Sequence, residues 1–193
     1  LAQYPDADYA STGTVIDCAA KAEEAQKLTL ENVACVRLLQ NQAVEYEFSV
    51  SERGFYNIEM LYHPMEGDGT AIKIDLRLDG KNPFDGTASM TLSRKWLFSD
   101  EIRKDTQDNE IRRDSVEADG WMRTRLENAS VTAGEPLLFY LEPGVHTVRI
   151  RAVRSAVALA EIGFVQPQKT ATYAEKLAQW EKSGYSDAED SLE

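Results

Sequence analysis

Between residues 44 and 78, apolar and polar side chains alternate with few interruptions. Val44, Tyr46, Phe48 and Val50 alternate with Glu45, Glu47, Ser49 and Ser51. A period of two puts each set on one face of a strand. After Glu52-Arg53-Gly54 the pattern resumes with Tyr56, Ile58, Met60 and Tyr62. Glu66-Gly-Asp-Gly69 reads as a turn into a further run, Ile72, Ile74, Leu76 and Leu78 against Lys73, Asp75, Arg77 and Asp79. That run stops at Asp79-Gly80, a strong turn dipeptide. Consecutive strands with one wet face each predict a single antiparallel sheet, whose apolar face needs a cover.

The C-terminal half is expected to supply that cover. Residues 137–141 are a short apolar run, and Glu142-Pro-Gly144 is a turn. Residues 145–153 alternate again, with Val148 and Ile150 opposite Arg149 and Arg151, and 156–165 are nearly all apolar, as in a buried strand. Met122, Thr124 and Leu126 begin a shorter alternating run that can enter a sheet. Strands separated by frequent turns predict an all-β fold, an antiparallel β-sandwich with short peripheral helices.

Two segments break the strand pattern. Residues 17–27 are rich in Ala, Glu and Lys and predict a short helix. Residues 172–183 predict a second: Thr172 and Glu175 have capping-box spacing, Tyr173, Leu177 and Trp180 share a face, and Gly184 stands where a C-terminal cap belongs. This helix is expected to dock by its aromatic face, and an acidic stretch follows it over 186–193. The expected organisation is an N-terminal segment over 1–42, partly in the sandwich, then the sandwich proper over 43–168. Residues 169–193 form a helix and linker to a further domain.

The chain has 193 residues, enough for one sizeable core. Its 42% hydrophobic and 28% charged content is that of a globular protein. No apolar run approaches the ~20 residues of a membrane helix, and the first residues show neither the basic start nor the apolar stretch of a signal peptide, as in a mature secreted chain. A formal net charge of −12 argues against nucleic acid as a partner, since phosphate would be repelled. Cys18 and Cys35 lack the CxxC spacing of a metal or redox site. Free thiols are expected, with one loop-closing bridge as the alternative.

Candidate chemistry is sparse. His63 precedes Pro64 at a strand end and His146 begins a strand; neither has a partner at metal-ligand or triad spacing, so both read as structural. There is no GxSxG, P-loop or GxGxxG motif, and no pair of carboxylates stands out for glycoside hydrolysis. No catalytic residue and no metal site are assigned, and the chain is expected not to be an enzyme.

Residues 93–121 are the exception. A loop of this length is uncommon in a sandwich and is usually functional or disordered. It carries Arg94, Trp96, Arg103, Asp105, Asn109, Arg112 and Trp121, the mixture a sugar site uses: aromatic faces to pack on a pyranose ring and planar polar groups to bond its hydroxyls. These seven are the candidate ligand residues. The structural alternative is that Trp96 and Trp121 pin the loop to the sandwich edge while Arg/Asp pairs form a salt-bridged network. On either reading Trp121, next to the Met122 run, is expected to be the more buried of the two.

Several of these segments together resemble a known family. They are Phe55-Tyr-Asn-Ile-Glu-Met-Leu-Tyr-His-Pro-Met-Glu-Gly67, Leu76-Arg-Leu-Asp-Gly80 with Pro83-Phe84, and Glu101-Ile-Arg-Lys-Asp105 with Asn109-Glu-Ile-Arg112. Val116-Glu117, Trp121 and Glu135-Pro-Leu-Leu-Phe-Tyr140 extend the match. They resemble the N-terminal domain of large bacterial solute-binding lipoproteins of ABC transporters, over about residues 44–165. The resemblance implies a galactose-binding-like jelly roll, similar to carbohydrate-binding modules, followed by a solute-binding domain. It implies a non-catalytic module that binds glycan or oligosaccharide for uptake, outside the cell and attached to its surface by a lipid anchor beyond this chain. No cofactor is implied, and a structural calcium ion is compatible with such a fold. The alternative is a structural or assembly domain that packs on its neighbour and has no ligand of its own.

Overall fold

The computed structural model describes residues 13–22, 26–65, 69–99, 102–127, 136–166 and 173–183. In chain order the strands are β1 (Thr14–Asp17), β2 (Lys27–Leu30), β3 (Val33–Leu38), β4 (Ala43–Val50), β5 (Gly54–Pro64), β6 (Ile72–Leu78), β7 (Met90–Leu92), β8 (Trp96–Phe98), β9 (Ser115–Glu117), β10 (Met122–Arg125), β11 (Phe139–Leu141), β12 (Gly144–Arg154) and β13 (Val157–Val165). A 3-10 turn covers Asp85–Ser89, and a single helix among the described residues, α1, covers Tyr173–Lys182.

All strand pairs are antiparallel. The larger sheet runs β10-β5-β13-β3-β2, with β1 also on β13 and β11 also on β5. The smaller runs β4-β12-β6-β7, and among the described residues β8 and β9 pair with each other alone. The fold is an all-β antiparallel sandwich, as the alternation predicts. The three early strands do not share one sheet, however. β4 and β6 lie in the smaller sheet and β5 in the larger, and β12 slots between β4 and β6, with Val148 opposite Tyr46 on one side and Leu78 on the other. The chain therefore crosses between layers, a jelly-roll path, and the C-terminal strands complete both sheets instead of building a separate cover. Each run carries its own apolar face, which says which side is wet and nothing about which strand lies alongside.

The two apolar faces meet in one core. Tyr46, Phe48, Ile74, Leu76, Val148 and Ile150 of the smaller sheet are buried against Ile58, Met60, Tyr62, Leu159, Ile162 and Phe164 of the larger. Phe48 and Phe164 stack across the gap with ring centroids 3.8 Å apart. At roughly 25 cal/mol per Å² of buried apolar surface, this interface is the main term holding the sheets together. A second, smaller cluster lies apart, where Leu28, Leu30, Val33, Leu61, Met65 and Trp121 pack around buried Cys35, Ala158 and Ala160. It explains why β13 has few polar positions. Cys18 and Cys35 are both buried free thiols; burial pushes the Cys18 thiol up to about 12.

The expected helix over 17–27 is not present among the described residues. Asp17 ends β1 and its carboxylate accepts the Ala20 amide at 3.1 Å, closing a turn, and Lys27 already begins β2. Burial of Ile16 and Cys18 in the core overrides the helical preference of the Ala and Lys residues. The second helix forms as α1; its Thr172 cap, its Gly184 stop and the acidic end lie outside the described residues, as does most of the 66–69 turn. Trp180 is 51% exposed.

At the β6 end, Asp79 adopts φ +50 and ties the turn to β12. Its carboxylate accepts the Thr147 amide at 2.9 Å and contacts His146 Nδ1 at 2.8 Å, while His146 Nε2 lies 2.8 Å from the Glu142 carbonyl oxygen. Both partners of the ring are acceptors, so only the imidazolium donates to both at once. Burial pushes the ring's pKa down, but the Glu142 carbonyl and the Asp79 carboxylate outweigh it and raise it above 6.5. Burial likewise pushes Asp79 up, and the His146 and Thr147 hydrogen bonds bring it below 3.8. A raised histidine contributes stability that is complete below its unfolded pKa and fades as pH rises through the folded one; a lowered aspartate contributes above its unfolded pKa and fades in acid. The pair should therefore stabilise most between about pH 4 and 6.5. Thermal midpoints across pH should show His146→Gln losing stability relative to wild type below about pH 6.5, with the gap narrowing as the medium turns alkaline. A gap independent of pH would contradict the assignment.

Candidate functional site

Strand-end loops gather at one end of the sandwich. The loop before β4 is tied to β12, with the Asn41 amide donating to Ala152 O at 2.6 Å and Gln40 Nε2 to Val153 O at 3.3 Å. The loop after β5 meets the β12–β13 turn, where the Met65 amide donates to Ala156 O and the hydroxyls of Thr70 and Ser155 lie 3.3 Å apart. Ser155 occupies the left-handed region at φ +61, which aims this tight turn.

Arg94 is the junction of these loops. Its side chain is 2% exposed. It donates from Nε to Thr70 O at 2.7 Å, from Nη2 to Met65 O at 3.1 Å, and from Nη1 to the Glu117 carboxylate. The planar guanidinium suits this role because its donors point in fixed, divergent directions. Two residues on, Trp96 is 49% exposed. Its indole lies over Gly69, whose φ of +69 and lack of a side chain both matter: a Cβ there would come within 3.2 Å of the ring. The result is a half-exposed aromatic ring against Gly69, next in the chain to Thr70.

From this root the chain extends as a hairpin arm. β8 and β9 pair in register from Trp96–Glu117 to Phe98–Ser115, and the Ser99 amide donates to Asp114 O at 2.8 Å. Further out the Ile111 amide donates to Arg103 O at 2.8 Å and Lys104 bridges Glu110. The tip is an Asx turn: Asp105 accepts the amides of Gln107 at 2.8 Å and Asn109 at 2.9 Å, and the Asn109 side chain at 3.1 Å. The Asn109 bonds, and then that of Gln107, hold the Asp105 carboxyl below its usual range. Arg103 pairs with Asp114, and Lys104 with Asp108 at 2.8 Å.

The sequence-derived candidates therefore separate. Arg94 and Trp96 meet at the root, one buried and one open. Asp105 and Asn109 are consumed by the tip turn, Arg103 by its ion pair, and Arg112 is exposed. Trp121 is more buried than Trp96, as expected; it packs in the second cluster and edge-on to His63, with its indole N–H buried and donating to no described group. Sequence reasoning missed Thr70, Ser155 and Glu117. Gly69 stands out in the sequence as part of a turn and Glu117 as part of the Val116-Glu117 segment; an isolated serine at positive φ leaves no mark in sequence.

No protein-family model matches the chain, and no curated protein matches it. Solved structures do. The catalytic unit of a thermostable GH87 alpha-1,3-glucanase from Streptomyces thermodiastaticus superposes with a TM-score of 0.50 at 19% identity, covering 85% of this chain and 28% of the glucanase unit. A family 35 carbohydrate binding module from Clostridium thermocellum gives 0.45 at 10% identity, covering 79% of this chain and 98% of the module. A carbohydrate binding module from Cellvibrio mixtus lichenase 5A, in complex with cellotriose, gives 0.41 at 10% identity, covering 80% and 98%. The first of these likenesses bears on the fold alone, and agrees with the sandwich described above.

Proposed function

We propose that this chain is a non-catalytic carbohydrate-binding module that holds a glycan or oligosaccharide at the root of the arm. The observation that carries the reading is Trp96: a large indole, half open to water, that lies against Gly69, whose chain neighbour Thr70 has its hydroxyl 3.3 Å from that of Ser155. A fixed aromatic face beside a few placed polar groups is the usual make-up of a sugar subsite. By its sequence resemblance, the module belongs to an extracellular solute-binding protein, attached to the cell surface through a lipid anchor elsewhere in the polypeptide. A glycan array probed with the isolated chain tests the reading, with the same glycans then incubated to look for cleavage. Retention of a defined glycan class without turnover is the expected result. Cleavage abolished by one carboxylate substitution would make the chain an enzyme.

A second reading has its own support. The arm exposes Leu97, Phe98, Ile102, Ile111 and Val116, a large apolar area for a projecting hairpin. On that reading the arm packs on an adjacent domain and the module serves assembly. An array with no retained glycan, together with loss of domain packing on Val116→Ser, would favour it.

A further inference from the structure

We propose that Glu31, His63 and Asp119 form a binding site for a divalent transition-metal ion of the zinc class. It stands independently of the glycan reading. The three residues come from three separate elements: the turn between β2 and β3, the end of β5, and the return of the arm after β9. One ligand atom from each lies within 4.8 Å of the others.

His63 is prepared for this role. Its side chain is 8% exposed, and its ring is packed edge-on by Trp121 with centroids 5.4 Å apart. Nδ1 lies 2.9 Å from the Pro64 carbonyl oxygen. A carbonyl only accepts, so Nδ1 carries the hydrogen, and in the neutral ring Nε2 presents its lone pair. A ring nitrogen fixed by a backbone carbonyl is the usual support of a metal-bound histidine. Nε2 lies 3.2 Å from Asp119 Oδ1. A metal ion bound between Nε2 and the carboxylate would draw on both as ligands.

The spacing fits a metal. Nitrogen and oxygen ligands held ~2.0–2.2 Å from a tetrahedral ion stand about 3.3 Å apart, close to the separation seen. Glu31 is exposed and its side chain can close the remaining gap. Two carboxylates balance a divalent charge, and an imidazole nitrogen favours zinc-like ions over calcium or magnesium, which prefer oxygen alone. Asp119 is 85% exposed and helps line an open hollow with Pro64, Glu117 and Ala118, which leaves the fourth position to water. The ion would staple the β2–β3 hairpin and the root of the arm to β5.

The test uses untagged protein stripped with a chelator and titrated with cobalt(II). The expected result is saturation at one equivalent with a visible d–d band, displaced by one equivalent of zinc. Zinc, unlike calcium or magnesium, should raise the melting temperature. Asp119→Asn and Glu31→Gln, both at exposed positions, should leave the metal-free melting temperature unchanged and weaken metal binding about tenfold or more. Absence of saturable one-to-one binding would overturn the proposal. Binding that is unchanged in both carboxylate variants would overturn it equally.

Discussion

Arg94→Ala should lower folding stability by about 2–4 kcal/mol, roughly 5–10 °C in melting temperature for a chain of this size. The guanidinium satisfies two backbone carbonyls, Thr70 O and Met65 O, and pairs with Glu117. Removing it takes a donor from each of these acceptors at the junction of the loops, and an unmet buried acceptor costs more than a made bond contributes. The figure falls toward the low end for a buried ion pair because Glu117 is partly open to water and can be resolvated. Arg94→Lys keeps the charge and loses the fork, so it should fall between alanine and wild type. Chemical denaturation of the three proteins checks the ranking. Equal stability of all three would mean that Arg94 does not hold the loops together.

Trp96→Ala is expected to behave in the opposite way. Half of the indole already faces water, so truncation should change the melting temperature little. Glycan affinity should fall by about 1–3 kcal/mol, between about fivefold and 150-fold. Binding isotherms on whichever glycan the array identifies measure this directly. Loss of stability with no loss of affinity would make Trp96 a structural residue of the arm. The two substitutions lie two positions apart in sequence and separate support from contact.

Much of the sandwich is legible in the sequence because its strands have one wet face. In β4, Val44, Tyr46, Phe48 and Val50 are buried while Glu45, Glu47 and Ser49 are exposed, so the alternation reports burial directly. Pairing is a different kind of information. Val148 lies between Tyr46 and Leu78, residues distant in the chain, and nothing local to any of the three specifies that arrangement. The segment over 17–27 misleads for a related reason. Its composition favours a helix, but Ile16 and Cys18 are claimed by the core and Asp17 closes a turn. The candidate site is legible only in part. The stretch over 93–121 stands out by its charge and aromatic content, yet the same residue types serve two ends: Asp105 and Asn109 build a turn, and Arg103 an ion pair, while Trp96 is left open. Which polar residue is spent internally is decided by the hairpin register, and no residue type reveals it.

The central claim is that sugar meets this chain at Trp96. The chain has three tryptophans, so an amide-correlation spectrum of the 15N-labelled protein should show three indole N–H signals, assignable by substitution. They report from distinct places: Trp96 at the root of the arm, Trp121 in the second cluster, and Trp180 on α1. Titration with a bound glycan should move the Trp96 signal in a saturable way and leave the Trp180 signal in place. Glycan binding that shifts Trp180 while Trp96 stays fixed, or that persists at full affinity in Trp96→Ala, would contradict the account.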